Sequence, residues 1–245
     1  MEVKSQSEAP ALLRVEALTK HFGSRVAVDN LSFDLACGEV LGLLGPNGAG
    51  KTPAFLCVNG LLRPDVGRII FKERLLESDR GRTIALIPET PEVYGMLTIW
   101  EHMLFVARSL GFEREWESRA ERLLARLGIA QERDTLGQAL SKGMRQKTLI
   151  AATLLAQAPI LLLDEPMIGL DPRGQRELRE VIGELRDGGT AIVMSTHLID
   201  SAQALCDRLI ILKDGRTVAA GMIAELQNRM AIGRSLEDLF LEITA

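Results

Sequence analysis

The chain has 245 residues, of which 47% are hydrophobic, 25% charged and only 4% aromatic, with a formal net charge of −4. This is the composition of an ordinary α/β globular protein, and the acidic balance provides no overall basic field for a nucleic-acid backbone, so a nucleic-acid partner is disfavoured. Cys37, Cys57 and Cys206 lie far apart with no C-x-x-C pair, which indicates neither a zinc site nor a disulfide framework. The first residues lack the apolar core of a secretory signal. The longest apolar region, Thr148 to Leu163, is interrupted by Gln157 and Pro159 and falls short of the ~20 residues that cross a bilayer. A soluble chain is expected, with any membrane role depending on a partner.

In chain order, Leu12 to Leu18 and Val26 to Leu35 alternate apolar and polar residues as two half-exposed strands do, with His21-Phe22-Gly23-Ser24 as the turn. They predict an antiparallel flap beside an α/β core. Glu39 to Leu44 suits a buried parallel strand, and a helix is expected from Pro53 to about Gly60. Gly67 to Phe71 and Arg82 to Ile87 supply further short strands. From Thr98 to Ala156 the pattern is helical, over Thr98 to Leu110, Glu113 to Leu127 and Ser141 to Ala156, with Gly111, Gly128 and Gly137 at the breaks. This predicts a helical lobe, about residues 90–157, inserted into the core of a single domain spanning 1–245. Ile160 to Leu163 then reads as a strand, Pro172 to Arg186 as a helix, Thr190 to Ser195 as a strand and Leu198 to Cys206 as a helix. The β-then-α rhythm implies a mostly parallel sheet. A hairpin through Asp214-Gly215-Arg216 and two short helices close the chain.

Between the Glu39 to Leu44 strand and the helix after it lies Gly45-Pro46-Asn47-Gly48-Ala49-Gly50-Lys51-Thr52, which fits the phosphate-loop pattern G-x-x-x-x-G-K-[ST]. Glycines let successive backbone N–H groups point into one concavity, and the helix end adds partial positive charge. Lys51 can reach the outer phosphates and the Thr52 hydroxyl can ligate Mg²⁺. The loop is suited to a nucleoside triphosphate. Downstream, Ile160 to Leu163 ends abruptly in Asp164-Glu165. An acidic pair after a strand is commonly a solvated turn, but in a parallel sheet the ligand crevice lies beyond the strands' carboxyl ends, where the phosphate loop also opens. There Asp164 would hold Mg²⁺ and Glu165 would polarise an attacking water. Ser141 is a good helix N-cap; either it does nothing more, or its hydroxyl with free N–H groups forms a second anion site. One triphosphate already occupies the first site, so a second site used by ATP implies a nucleotide held by another subunit, and hence a dimer.

With these residues assembled, the chain resembles the nucleotide-binding subunits of ATP-binding cassette (ABC) transporters over nearly its whole length. The order carries the resemblance: phosphate loop, signature segment Leu140 to Met144, Walker B strand with Asp164-Glu165, a D-loop-like Gly169-Leu170-Asp171, and Ser195-Thr196-His197 resembling the histidine switch. The resemblance implies a P-loop ATPase of ATP and Mg²⁺ that dimerises around ATP and drives separate integral membrane subunits. The resemblance also implies a cytoplasmic location, peripheral on the inner face of the cell membrane. It implies that His197 contacts the γ-phosphate, that Asp171 meets the partner subunit, and that Ser141, Lys142, Gly143 and Met144 face the partner's ATP. Phe22 takes the place of an aromatic under adenine, with Val28 padding the same base. The stretch from Pro91 to His102, with Tyr94, Met96, Leu97 and Trp100, takes the place that receives the membrane partner.

The departures are specific. Pro53 stands where the family has a hydroxyl residue, and lacks hydroxyl and N–H both, with Thr52 expected to be biased away from helix. Glu89 stands for the Q-loop glutamine and could still ligate Mg²⁺. Lys142 and Met144 replace usual signature residues. The stretch from Pro88, the Ser-Lys-Gly-Met signature and the ending Ser235 to Phe240 are similar to the bacterial exporter branch. Two other functions remain open on these residues: an ABC ATPase working without a membrane, and a degenerate cassette that binds ATP but barely hydrolyses it.

Overall fold

The computed structural model describes residues 10–76, 80–228 and 240. Two sheets carry it. In the first, β1 (Leu13–Phe22) and β2 (Arg25–Leu35) form an antiparallel hairpin. Alternate residues of both are buried, as their period-2 pattern requires. The turn is shorter than the sequence suggests: β1 runs on through Phe22, which pairs with Arg25, leaving only Gly23 and Ser24 between them. Gly23 at φ +60° permits this two-residue closure. The second sheet has the order β10-β9-β3-β8-β7-β6, and all its neighbours pair in parallel except the edge hairpin. It begins with β3 (Val40–Leu44), which leads through the phosphate loop into α1 (Lys51–Asn59).

The two short strands after α1 go to different sheets. β4 (Val66–Phe71) pairs with β1 and extends the flap, followed by β5 (Arg74–Leu75), whereas β6 (Ile84–Ile87) joins the parallel sheet. Three helices then intervene: α2 (Ile99–Ser109), α3 (Trp116–Arg126) and α4 (Lys142–Leu155). The next strand, β7 (Ile160–Asp164), pairs directly beside β6. The helical lobe is therefore an insertion within one β-to-β crossover. The remainder is α5 (Pro172–Asp187), β8 (Ala191–Thr196), α6 (Ile199–Leu205), β9 (Arg208–Lys213), β10 (Arg216–Met222) and α7 (Ile223–Asn228). The second closing helix expected from the sequence falls mostly outside the described residues.

The parallel strands are apolar throughout because both faces are covered. Leu41, Leu43, Leu162 and Val193 face the flap and α1 in one core; Leu44, Leu161, Leu163 and Met194 face the inserted lobe and α5 in the other. A buried cation ties flap to sheet: Arg208 on β9 donates to Glu39 Oε1 at 2.9 Å and to Asp34 Oδ1 at 3.3 Å. Cys57 and Cys206 are buried and free, and burial pushes their thiols up to about 11 and about 12. Among the described residues no helix is long and apolar enough to cross a membrane.

Candidate nucleotide site

The groove lies where β3 and β7 end, at the carboxyl edge of the parallel sheet. It has a volume of about 600 Å³ and is walled by Phe22, Arg25 and Ala27 of the flap, Asn47 to Pro53 of the loop and α1, and Glu89, Asp164 and Glu165. Gly45 and Pro46 complete the loop behind it.

Glycine is required in this loop by close approach as well as by backbone angle. A Cβ on Gly50, at φ +104°, would stand 2.3 Å from the Ala27 carbonyl oxygen, and one on Gly45 would stand 2.6 Å from that of Leu212. Gly48 has φ +83°. The helix starts at Lys51, two residues before the expected start, and Thr52 is helical despite the proline that follows. The reason is position. Pro53 falls in the first turn, where N–H groups have no intrahelical partner, and the first helical bond runs from Ala54 N to Gly50 O at 3.0 Å. Pro53 leaves the helix intact and removes only a donor that would otherwise face the groove.

Two side-chain clusters converge here. Thr52 Oγ1 donates to Asp164 Oδ2 at 2.6 Å, while Ser195 Oγ donates to Asp164 Oδ1. Ser195 Oγ also accepts from Glu165 N at 3.1 Å, so one hydroxyl joins the Asp164 carboxylate to the Glu165 backbone. In the second cluster, Glu165 Oε1 lies 2.9 Å from His197 Nδ1 and 3.5 Å from Lys51 Nζ. Lys51 also donates to Gly45 O at 2.6 Å and Pro46 O at 3.3 Å. Asp164, Glu165 and Lys51 are buried, so their charges act across little water.

The donor set fits Mg²⁺. Thr52 Oγ1 and the carboxylates of Asp164 and Glu89 are hard oxygen donors that line the groove, the first two in direct contact. No group of three or more His, Cys, Asp or Glu able to hold a metal exists among the described residues.

Some expected residues lie elsewhere. Val28 is fully buried in the core and cannot pad a base; successive strand residues face opposite sides, and Ala27 lines the groove instead. Phe22 is 51% exposed on the groove wall. Ser141 caps α4, accepting from Met144 N at 3.2 Å, and residues 141–144 do not line the groove of their own chain. Lys142 lies along Gly169, whose added Cβ would be 3.1 Å from Lys142 Cε, and Gly143 sits against the Gly169 carbonyl. Asp171 caps α5 by accepting from Gly174 N at 2.9 Å. Around Pro91 to His102, Tyr94 and Met96 are exposed with Phe105 beside them, whereas Trp100 is committed to the lobe, stacked near Trp116 with Arg133 over its face. Sequence reasoning missed Arg25, which donates to Gly48 O at 3.4 Å, and gave Ser195 no role of its own.

A phosphate loop at the carboxyl edge of a parallel sheet, with a threonine–aspartate pair and a glutamate beside it, defines a P-loop ATPase. A family model described as ABC transporter matches residues 28–168. The chain is 34% identical to the ABC-type transporter ATP-binding protein EcsA of Bacillus subtilis, over 96% of this chain and 97% of that one. It is 36% identical to the lipopolysaccharide export system ATP-binding protein LptB of Acidithiobacillus ferridurans, over 88% and 92%. A solved ATP-binding subunit of an ABC transporter superposes with a TM-score of 0.89 at 33% identity, over 96% of this chain and 100% of that one. The chain belongs to the ABC transporter family and is its ATP-binding, ATP-hydrolysing subunit.

Proposed function

We propose that the chain is one ATP-binding domain that powers export by closing on a second such subunit around two ATP molecules. Each site pairs the phosphate loop of one subunit with Ser141 to Met144 of the other. The observation that carries this is the free, capped N-terminus of α4, an anion-binding end that does not line its own chain's groove. Asp171 keeps the adjoining turn in shape through its cap while presenting its exposed loop to the partner.

Thr52, Asp164 and Glu89 would hold Mg²⁺, which would supply neutralisation of phosphate charge. Lys51 leaves the Gly45 and Pro46 carbonyls for the outer phosphates. Glu165 takes the proton of the attacking water, and His197, whose Nδ1 lies 2.9 Å from Glu165 Oε1, donates a ring N–H to the γ-phosphate. Phe22 and Ala27 flank the adenine. Separate integral membrane subunits dock on Tyr94, Met96 and Phe105, which are exposed, and the chain works at the cytoplasmic face of the membrane. The likeness to a lipopolysaccharide export subunit supports export as the direction. Pro53 leaves α1 unbroken but still lacks hydroxyl and N–H, so what weighs against the degenerate-cassette alternative is the intact set of Lys51, Asp164, Glu165 and His197.

The test is sizing of the Glu165→Gln chain with ATP and Mg²⁺, against ADP and against a Ser141→Arg second variant. An ATP-dependent dimer abolished by Ser141→Arg is expected. An ATP-loaded chain that stays monomeric up to high concentration would overturn the proposal.

A further inference from the structure

We propose that Arg25 is a second phosphate-gripping cation of the groove, and that it offsets the donors absent at Pro53. This rests on the groove being the triphosphate site. Among the described residues that line it, the cations are Arg25 and Lys51, against the carboxylates Glu89, Asp164 and Glu165. Lys51 is already engaged by Glu165 and two loop carbonyls, so before any ligand arrives the groove carries net negative charge, increased by the carboxylate of Glu89. A polyanion entering it needs another cation.

Arg25 is placed to supply one. It is the first residue of β2, held there because Phe22 and Arg25 close the two-residue turn. Its guanidinium reaches over the phosphate loop and donates one long bond, 3.4 Å, to the Gly48 carbonyl. A Cβ added to Gly48 would lie 3.5 Å from the same nitrogen, so the head group rests on the loop backbone itself. Among the described residues it makes no ion pair, whereas Arg68 and Arg216 on the same two sheets are each bound to a carboxylate. A guanidinium with five donors and one weak bond retains most of its capacity for phosphate oxygens. Pro53 lines the same groove and presents neither N–H nor hydroxyl. The flap thus returns, from the opposite wall, hydrogen-bonding capacity that the helix end lacks.

Calorimetric titration with ATP and Mg²⁺ on the full chain tests this, comparing wild type, Arg25→Ala, Arg25→Lys, Pro53→Ser and the Arg25→Ala/Pro53→Ser double variant. Inorganic tripolyphosphate, as a competitor, is the base-free probe. Arg25→Ala is expected to weaken ATP by about tenfold, the scale of one charge-assisted hydrogen bond, and tripolyphosphate by a similar factor. Arg25→Lys should recover part of the loss. In the Pro53→Ser background the same removal should cost about threefold or less, because the two sites are coupled. Equal ATP affinity of wild type and Arg25→Ala would overturn the role of Arg25. So would a loss for ATP with none for tripolyphosphate, which would assign Arg25 to the adenine shelf. Equal losses in both backgrounds would overturn the compensation. Failure of the wild type to bind ATP at all would instead refute the groove reading beneath it.

Discussion

Lys51 Nζ stands 3.5 Å from Glu165 Oε1, both groups nearly enclosed, and the same oxygen meets His197 Nδ1 at 2.9 Å. In the ligand-free groove, then, the phosphate-seeking lysine and the carboxylate proposed as base neutralise each other. Entry of a triphosphate exchanges this contact for a lysine–phosphate one and frees the carboxylate for water. Lys51→Ala should therefore lose affinity by more than tenfold. At ATP set to 100 times the wild-type Kd, the wild type should gain about 2.7 kcal/mol of stability and a tenfold-weaker variant about 1.4. Thermal melts with and without ATP check this; equal gains would contradict it.

Glu165 also carries backbone cost. It has φ +48°, a left-handed conformation that a side chain disfavours by about 1–2 kcal/mol. It is held there by Ser195, whose carbonyl and hydroxyl both accept from its N–H. Glu165→Gly should be more stable than Glu165→Ala by about 1 kcal/mol, and both should be inactive. Chemical denaturation measures the difference; an alanine variant as stable as the glycine one would show that the strain is absent.

The proposed adenine shelf at Phe22 has an acid-sensitive support. Asp65 accepts from Lys20 Nζ at 2.9 Å and from His21 N at 2.6 Å, and its second oxygen lies 3.0 Å from the His21 ring, so it pins the end of β1 that carries Phe22. The Lys20 bond first, then those of His21, hold its carboxyl down to about 2 from an ordinary 3.8. A depressed carboxylate contributes stability that is present above about 3.8 and fades as the pH falls towards 2. Asp65→Asn should flatten acid unfolding across that window and raise the KM for ATP. An unchanged acid limb would contradict the assignment.

His102 ties the exposed loop to the lobe: Nδ1 faces Thr98 O at 2.7 Å, and Nε2 accepts from Tyr94 N at 2.8 Å. His102→Leu should speed amide exchange at Tyr94 by about tenfold, the cost of one net hydrogen bond, without altering ATP affinity. An exchange rate equal to that of wild type would show that the loop is fixed by something else.

The parts of this protein governed by local chemistry were legible in the sequence. The glycine pattern fixed the phosphate loop, and an apolar run ending in Asp164-Glu165 fixed the strand and its acidic tip. The Ser141 cap marked a helix start that the structure bears out, and the helix read from Thr98 begins at Ile99. Long-range pairing was not legible. Nothing in Val66 to Phe71 says that it joins the flap while Ile84 to Ile87 joins the parallel sheet, since both are short apolar runs. Facing was misjudged at Val28 because a strand offers two sides and a one-residue step exchanges them; that step also brings Ala27 to the groove. Arg25 was missed because a lone arginine beside a turn carries no pattern. The effect of Pro53 was overstated because its penalty depends on helix position, and the start at Lys51 is set by Gly50, not by the proline.

The most direct test of the account is ATP hydrolysis by the purified chain with Mg²⁺ over rising protein concentration, beside Glu165→Gln. Turnover per chain should rise with concentration, as a site completed by a second subunit requires. It should fall by about 10²-fold or more in the variant, the scale of a lost general base. Turnover per chain that is independent of concentration, or that survives in Glu165→Gln, would contradict a composite site with Glu165 as its base.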